Sequence, residues 1–528
     1  MKRRARLLLL RLLALLARPL ARRATGPPRA ILYIKPDHLG DLLLATPVLA
    51  ALRAAFPEAR ITALVGPWSR LVLARNPDVD ALLTCPFPGF ERRPPDNGRP
   101  TAVVGRHRSH LSSAVGRRWS KAGPYLTMLR YAALLRTTRY DLAIIGRDDH
   151  WWGAALALLA GVPVRVGFAV PECRPFLTTA LPWNPRDHVT AQGLALVAAA
   201  GGRTADNGPP PTVRHRPLTD EGPGTKDEHR PNLRGRGRQH AKLAFAAFVP
   251  VLRPSSARNE RQRTNAGRTF AGEADSLSGL LSSFADRPSS IVAHRPPASD
   301  LPMQPSRLPM RFAPAPADEA WAAAWLAAHG VAPGDRLVII HPGTGGPDKH
   351  WPAARWSAVG DALVAMDGGG RSIRAEASGA HRHSPASKLR LVLTGGPGEE
   401  GLVAEVATGM RAAPLMLAGQ TTLGQLAALL RRADLVLGVD SGPLHLAAAV
   451  GAPSIHLYGP SDADRFGPWG DPARHVVLRA GVWCAPCGVF AACPRGLALP
   501  ECMGRIDTAR VVAEARRMLG MPAARPAV

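Results

Sequence analysis

Short apolar runs alternate with longer amphipathic stretches over two parts of the chain, and a polar, aperiodic segment separates them. In the first part, "ILYIK", "RITALVG", "VDALLT", "DLAIIG" and "VRVGFA" read as buried strands. Between them, "DLLLATPVLAALRAAF", "GPYLTMLRYAALLRT" and "WWGAALALLAG" place apolar residues at helical spacing. The second part opens on a helix, "ADEAWAAAWLAAHG", and repeats the rhythm. Its strands are "RLVIIHPG", "LRLVLTGG", "PLMLAG", "DLVLGVD" and "PSIHLYG", with "PAARWSAVGDALVAM", "EEGLVAEVATGM", "TLGQLAALLRRA" and "GPLHLAAAVG" as helices between them. Strands alternating with helices predict βαβ units and parallel sheets. The expected fold is α/β, two Rossmann-like doubly wound domains facing a cleft at the carboxyl ends of their strands.

Breaks in the pattern divide the chain. Residues 1–29 mix Arg with Leu, and 30–200 form the first domain, with a basic, aperiodic insertion at about 91–122. Residues 201–312 are rich in Pro, Gly, Arg and Ser; 313–528 form the second domain, with a polar insertion at about 368–388. A segment composed like 201–312 buries too little apolar surface to offset its ordering entropy. It is expected to be a disordered linker, with at most a short helix at "HAKLAFAAFV". It reads as a solvated insertion between domains or as a nucleic-acid or membrane tether.

Composition changes the picture in three places. The 528 residues exceed one ordinary core, in keeping with two domains. The formal net charge of +27 points towards anionic partners, but much of it lies in the insertions. In residues 1–29, Arg11 and Arg18 interrupt the apolar run, so the segment fails as a signal peptide, and no later run is long enough to span a membrane. Two readings of 1–29 follow: a basic, Leu-rich helix on an anionic membrane face, or an amphipathic cap helix on the first domain. With no export signal, the expected compartment is the reducing cytoplasm and the six cysteines are free or metal-bound. "CAPCGVFAACPRGLALPEC" sets Cys484, Cys487, Cys493 and Cys502 at short spacing, a candidate structural zinc cluster without a second Cys-x2-Cys.

The candidate chemistry sits where strands hand over to helices. After "ILYIK" comes "PDHLGD", in which Asp41 stands at the carboxyl end of the first strand, as a helix cap or as a reacting carboxylate. In "VIIHPGTGGPDKHWPAARW" a Gly-rich turn precedes Lys349 and a helix start, a turn suited to an anion although not a Walker sequence. In "DLVLGVDSGPLHLAAAVG" a strand delivers Asp440, Ser441 and Gly442, and His445 lies in the first turn of the next helix. Ser441 and the helix end suit a phosphate and Asp440 a sugar hydroxyl; the plain alternative for Asp440, Ser441 and His445 is capping. "LTGGPGEEGL" adds a third glycine turn, from which Glu399 or Glu400 would reach a nucleoside hydroxyl, Glu400 being the one selected.

"ILYIKPDHLGDLLLATPVLAALRAAFPEARITALV", "HPGTGGPDKHWP" and "DSGPLHLAAAVGAPSIHLYGP" together resemble glycosyltransferase family 9, the ADP-heptose:lipopolysaccharide heptosyltransferases. The resemblance covers about 30–200 and 316–515 and implies a GT-B type fold. It implies an inverting, metal-independent transfer of heptose from an ADP-sugar to a lipopolysaccharide core acceptor, with no cofactor beyond the nucleotide sugar. It places the base on Asp41 after Gly40, the donor-phosphate lysine on Lys349 with a loop hydroxyl at Thr344, and the Asp-(Ser/Thr)-Gly-x-x-His motif on Asp440, Ser441, Gly442 and His445. The implied partners are a nucleotide sugar, a lipid-anchored glycan acceptor and an anionic membrane surface at the inner face of the cytoplasmic membrane. His38 departs from the small residue that the family often has two places before the Gly, at the acceptor side.

Other readings follow from the same residues. A rival of the same class is a family relative using another nucleotide sugar, or another envelope glycan as acceptor. A basic nucleic-acid-binding protein is suggested by charge alone, without the aromatic-interleaved basic strands of an RNA reader, so no nucleic-acid partner is expected. A nicotinamide enzyme would need Gly-x-Gly-x-x-Gly after the first strand, where "PDHLGD" stands.

Overall fold

A computed structural model describes residues 2–24, 26–90, 123–201, 308–367 and 388–521. The two domain insertions, most of the 201–312 linker and the helix expected at 240–249 lie outside the described residues.

The first domain is built on strands β1 (Ala30–Lys35), β2 (Arg60–Val65), β3 (Ala81–Thr84), β4 (Leu142–Ile145), β5 (Val164–Phe168) and β6 (Thr179–Leu181). Its helices are α1 (Lys2–Ala17), α2 (Leu39–Leu43), α3 (Thr46–Ala55), α4 (Gly123–Thr138), α5 (Trp151–Leu159) and α6 (Val189–Ala200). The sheet is parallel in the order β3-β2-β1-β4-β5-β6. The β1 run is almost continuously apolar because helices cover both faces. Ile31 and Tyr33 pack in the core that holds α3 and α6, and Leu32 and Ile34 in the core that holds α1, α4 and α5.

The second domain repeats this plan. Its strands are β7 (Arg336–His341), β8 (Leu389–Gly395), β9 (Leu415–Ala418), β10 (Leu435–Val439), β11 (Ser454–Tyr458) and β12 (His475–Arg479). Its helices are α7 (Pro316–Ala328), α8 (Ala353–Asp367), α9 (Glu400–Thr408), α10 (Leu423–Arg431), α11 (Gly442–Ala449), α12 (Ala463–Phe466), α13 (Glu501–Gly504) and α14 (Thr508–Met518). The order β12-β11-β10-β7-β8-β9 is again parallel. In each sheet the crossovers reverse between the two central strands, β1 and β4 or β7 and β10. A ligand crevice forms at such a switch point, beyond the strands' carboxyl ends.

One apolar cluster runs through both domains, from α3 and α6 into α10 and α11. The linker expected through 312 ends earlier. Leu308 and Met310 are buried and Phe312 packs beside them, a period-two pattern that the Pro-rich composition around it hides. The Trp469 indole donates to the Leu308 carbonyl, Arg311 N–H to Thr46 Oγ1 at 2.9 Å, and Phe312 N–H to the Ala449 carbonyl at 3.1 Å.

Candidate active site

The segments that leave β1 and β10 meet. Helix α2 abuts the start of α11, and a methyl group on Gly40 would lie 3.0 Å from His445 Cδ2 and 3.7 Å from Gly442 Cα. One on Gly442 would lie 2.9 Å from Leu39 Cδ2. Glycine at both positions lets the two helix ends close on each other. The expected cleft is shut at this point, with Gly40 and Asp41 on one wall and Gly442 and His445 on the other.

On the first wall, Asp41 is half-buried in the first turn of α2. It does not cap that helix: the N-cap is His38, and no side-chain bond closes it. Burial, then the negative charge of Asp37, push the Asp41 carboxyl up, against the opposing pull of Lys35, Arg147 and His445. Asp37 was not among the residues singled out in the sequence. It is buried, 2.9 Å from Lys35 Nζ and ion-paired with Arg147. Burial opposes its ionisation, but the two cations outweigh it and hold it well below the usual carboxylate range. Arg147 follows β4, the neighbour of β1, and Lys35 Nζ donates to the Gly146 carbonyl at 2.9 Å. The signal for this trio lay in "PDHLGD" and in the charged residue that ends "DLAIIGR": polar groups at the carboxyl ends of adjacent strands.

On the second wall, the turn after β7 folds onto the end of β10. Thr344 Oγ1 donates to the Asp440 carbonyl at 3.0 Å. Lys349 Nζ donates to the same carbonyl at 2.9 Å and to the Asp440 carboxylate at 3.2 Å. The carboxylate also accepts from Ser461 Oγ and stands 3.7 Å from His445 Nε2. Burial would raise its pKa, but His445, Lys349 and Ser461 hold it well below the usual range. The Phe490 ring lies 5.3 Å from Lys349 Nζ, which places the cysteine loop over the lysine. Ser441 is the N-cap of α11, yet its side chain makes no capping bond, and its hydroxyl and His445 Nδ1 are buried without a partner. Buried polar atoms are normally satisfied. Here two of them belong to residues at the start of one helix, whose own first N–H groups lack intrahelical acceptors.

Glu400 lies apart from this cluster. It is exposed and accepts from Gly398 N–H at 2.8 Å. Glu399 is the one turned towards the Gly-rich turn: it packs against Gly343, accepts from Gly396 N–H and stands 3.5 Å from His341 Nε2. Adjacent residues on a helix start point about 100° apart, and the sequence alone does not say which faces the strand ends. The C-terminal cysteines carry free thiols, and among the described residues no group of three or more His, Cys, Asp or Glu is placed to hold a metal ion.

Residues 382–492, which include β8 to β12 and end inside the cysteine loop, match the sequence profile of Glycosyltransferase family 9 (heptosyltransferase). The chain carries a family 9 glycosyltransferase domain. That stretch includes Asp440, Ser441, Gly442 and His445. Lipopolysaccharide heptosyltransferase 3 of Escherichia coli is 37% identical over 139 residues, 26% of this chain. The chain spans about a third of that relative's length, 35%. The family 9 glycosyltransferase of Veillonella parvula DSM 2008 superposes with a TM-score of 0.55 at 18% identity, covering 95% of this chain and 99% of that one. The E. coli ADP-heptose lps heptosyltransferase II superposes with a TM-score of 0.52 at 16% identity, covering 93% and 98%. At such identities the likeness is one of fold, and this fold, two Rossmann-like domains of GT-B type, extends over both halves of the chain.

Proposed function

We propose that this family 9 chain transfers a heptose from ADP-heptose to a lipopolysaccharide core acceptor, by direct displacement with inversion and without a metal. The observation that carries this reading is the meeting of α2 with α11, which brings the Asp41 carboxyl, without a hydrogen bond among the described residues, towards His445 and the cluster in which Thr344, Lys349 and Ser441 suit a phosphate and Asp440 a sugar hydroxyl. The acceptor hydroxyl attacks the anomeric carbon opposite the diphosphate. Asp41 takes the hydroxyl proton as the new C–O bond forms, and ADP departs with the electron pair of the broken bond. Lys349 keeps a donor free beyond its two bonds to Asp440, and it faces the departing charge together with Ser441 Oγ and the amino end of α11. The raised pKa of Asp41 suits a base better than an ordinary carboxylate would. Donor and acceptor follow the named activities of the relatives, a lipopolysaccharide heptosyltransferase and an ADP-heptose lps heptosyltransferase.

The test is Asp41→Asn with saturating ADP-heptose and a lipid-anchored core acceptor. Asparagine keeps the shape and cannot take a proton, so turnover should fall by about 10²–10⁴-fold with ADP affinity and melting temperature nearly unchanged. Turnover within threefold of the parent would remove Asp41 from the reaction.

A further inference from the structure

Two helices of the first domain leave their outer faces bare. Among its described side chains, helix α1 buries only Leu10, Ala14 and Ala17, a stripe one residue wide. Its remaining leucines from Leu8 onward, Leu8, Leu9, Leu12, Leu13, Leu15 and Leu16, are between 44% and 68% exposed. Helix α4 repeats the arrangement: it buries Met128, Ala132 and Leu135, while Tyr125, Leu126, Leu129 and Leu134 are between 51% and 56% exposed. These two helices hold most of the large apolar side chains exposed among the described residues. Scattered exposed leucines need no explanation, but concentration on two helices does.

Both helices pack on α5, in the same layer of the sheet. The Arg6 guanidinium lies over Trp151 at 5.7 Å, and the Trp152 indole donates to the Pro124 carbonyl at 3.3 Å. The early turns of α1 and α4 thus sit at the start of α5, beside the strand-end edge that carries Arg147 and Asp37. Charge distinguishes what covers this face. The first 29 residues hold nine Lys and Arg, and no acidic residue precedes Asp37. Helix α4 adds Arg130 and Arg136 and no acid. Arg4, Arg11, Arg18, Arg130 and Arg136 are exposed among the bare leucines. A second copy of this face would set arginines against arginines with no carboxylates to pair them. A bilayer with anionic headgroups meets both features, taking the leucines below the headgroups and the guanidiniums among the phosphates.

We infer that α1 and α4 together form a docking face for an anionic lipid bilayer. The inference rests on the helices alone and not on glycosyl transfer. The face adjoins the acceptor-side edge of the site, which would present that edge to a substrate held in the membrane.

The test is flotation of the full chain with vesicles of phosphatidylcholine alone or with phosphatidylglycerol added, for the parent, the α1 pair Leu12→Glu/Leu16→Glu and the α4 pair Leu126→Glu/Leu129→Glu. All four positions are exposed, so melting temperatures should not move, and a variant that melts early is replaced by the serine pair. The parent should partition at least about tenfold more onto phosphatidylglycerol vesicles than onto neutral ones, and salt should weaken it. The α1 pair should lose at least about tenfold and the α4 pair at least about threefold. Equal binding to neutral vesicles, or binding that either pair leaves intact, overturns the two-helix face. A parent that is a dimer by light scattering, which both pairs turn into a monomer, overturns it in favour of a second copy.

Discussion

Asp37 and Asp41 lie four residues apart and have opposite electrostatics. Asp37 is held ionised by Lys35 and Arg147, and its charge helps to keep the Asp41 proton on. Asp37→Asn would remove that charge and leave both cations facing Asp41, so the Asp41 carboxyl should ionise at lower pH. A base must be deprotonated, so the acid limb of the pH–turnover profile should move to lower pH; a limb that stays put or moves up would detach Asp37 from Asp41. The same substitution leaves Lys35 buried and unpaired, at a cost of about 3–5 kcal/mol for a fully buried pair and nearer the lower figure here because Arg147 is 32% exposed. In the parent, Asp37 contributes stability above the unfolded carboxyl value of about 4, and that contribution should fade as pH drops below it. Acid unfolding of parent and variant, followed by circular dichroism, should therefore converge at low pH. On the opposite wall, Lys349→Ala removes a charge-assisted phosphate donor worth roughly 1.5–3 kcal/mol, so ADP affinity by calorimetry should fall about tenfold or more. Asp41 and Lys349 were legible in the sequence as candidates because each lies in a polar turn between an apolar strand and a helix. The Asp37 trio was not, because its ionisation depends on an arginine more than a hundred residues away.

At the scale of elements, the alternation of apolar runs with helical spacing was enough to place ten of the strands, since a parallel sheet buried on both faces is written as uninterrupted β-branched and leucine runs. β6 and β12 escaped it: Thr179–Leu181 is three residues long, and His475–Arg479 is polar at both ends. Neither the closure of α2 on α11 nor the bare faces of α1 and α4 could be read locally, because both depend on what packs beside an element. Gly40 tests the closure. In isolation, Gly40→Ala favours the helix by up to about 1 kcal/mol. Against α11, its methyl group would press on His445 at 3.0 Å, and displacing that ring disturbs the Asp440 cluster. Turnover should drop by about 10–10²-fold, the cost of an ångström-scale misplacement, whatever the melting temperature does. Parental turnover in a folded Gly40→Ala variant would mean that the contact between the helices plays no part in the reaction.

At the scale of the molecule, two sheets of the same order are joined by more than the linker between them. The apolar cluster that begins on α3 and α6 continues into α10 and α11 without a polar break. His188, the N-cap of α6, reaches the Gly467 carbonyl at 3.0 Å and lies tilted against Trp469, ring centroids 4.9 Å apart, and Trp469 in turn holds Leu308. Residues 308–312 bond to Thr46 in the first domain and to Ala449 in the second. Met310, at the centre of this strap, is buried in the shared cluster. If each domain were stabilised only by its own sheet, calorimetry would show two transitions, and a change in the strap would shift neither by much. A shared core requires both domains to lose packing together, so the parent should melt in one cooperative transition. Met310→Ala should then cost about 2–5 kcal/mol, as a buried methionine does when it leaves a cavity, and it should lower that single transition as a whole. Two transitions in the variant, with only one of them shifted, would show that the strap serves one domain and that the common cluster does not couple the pair.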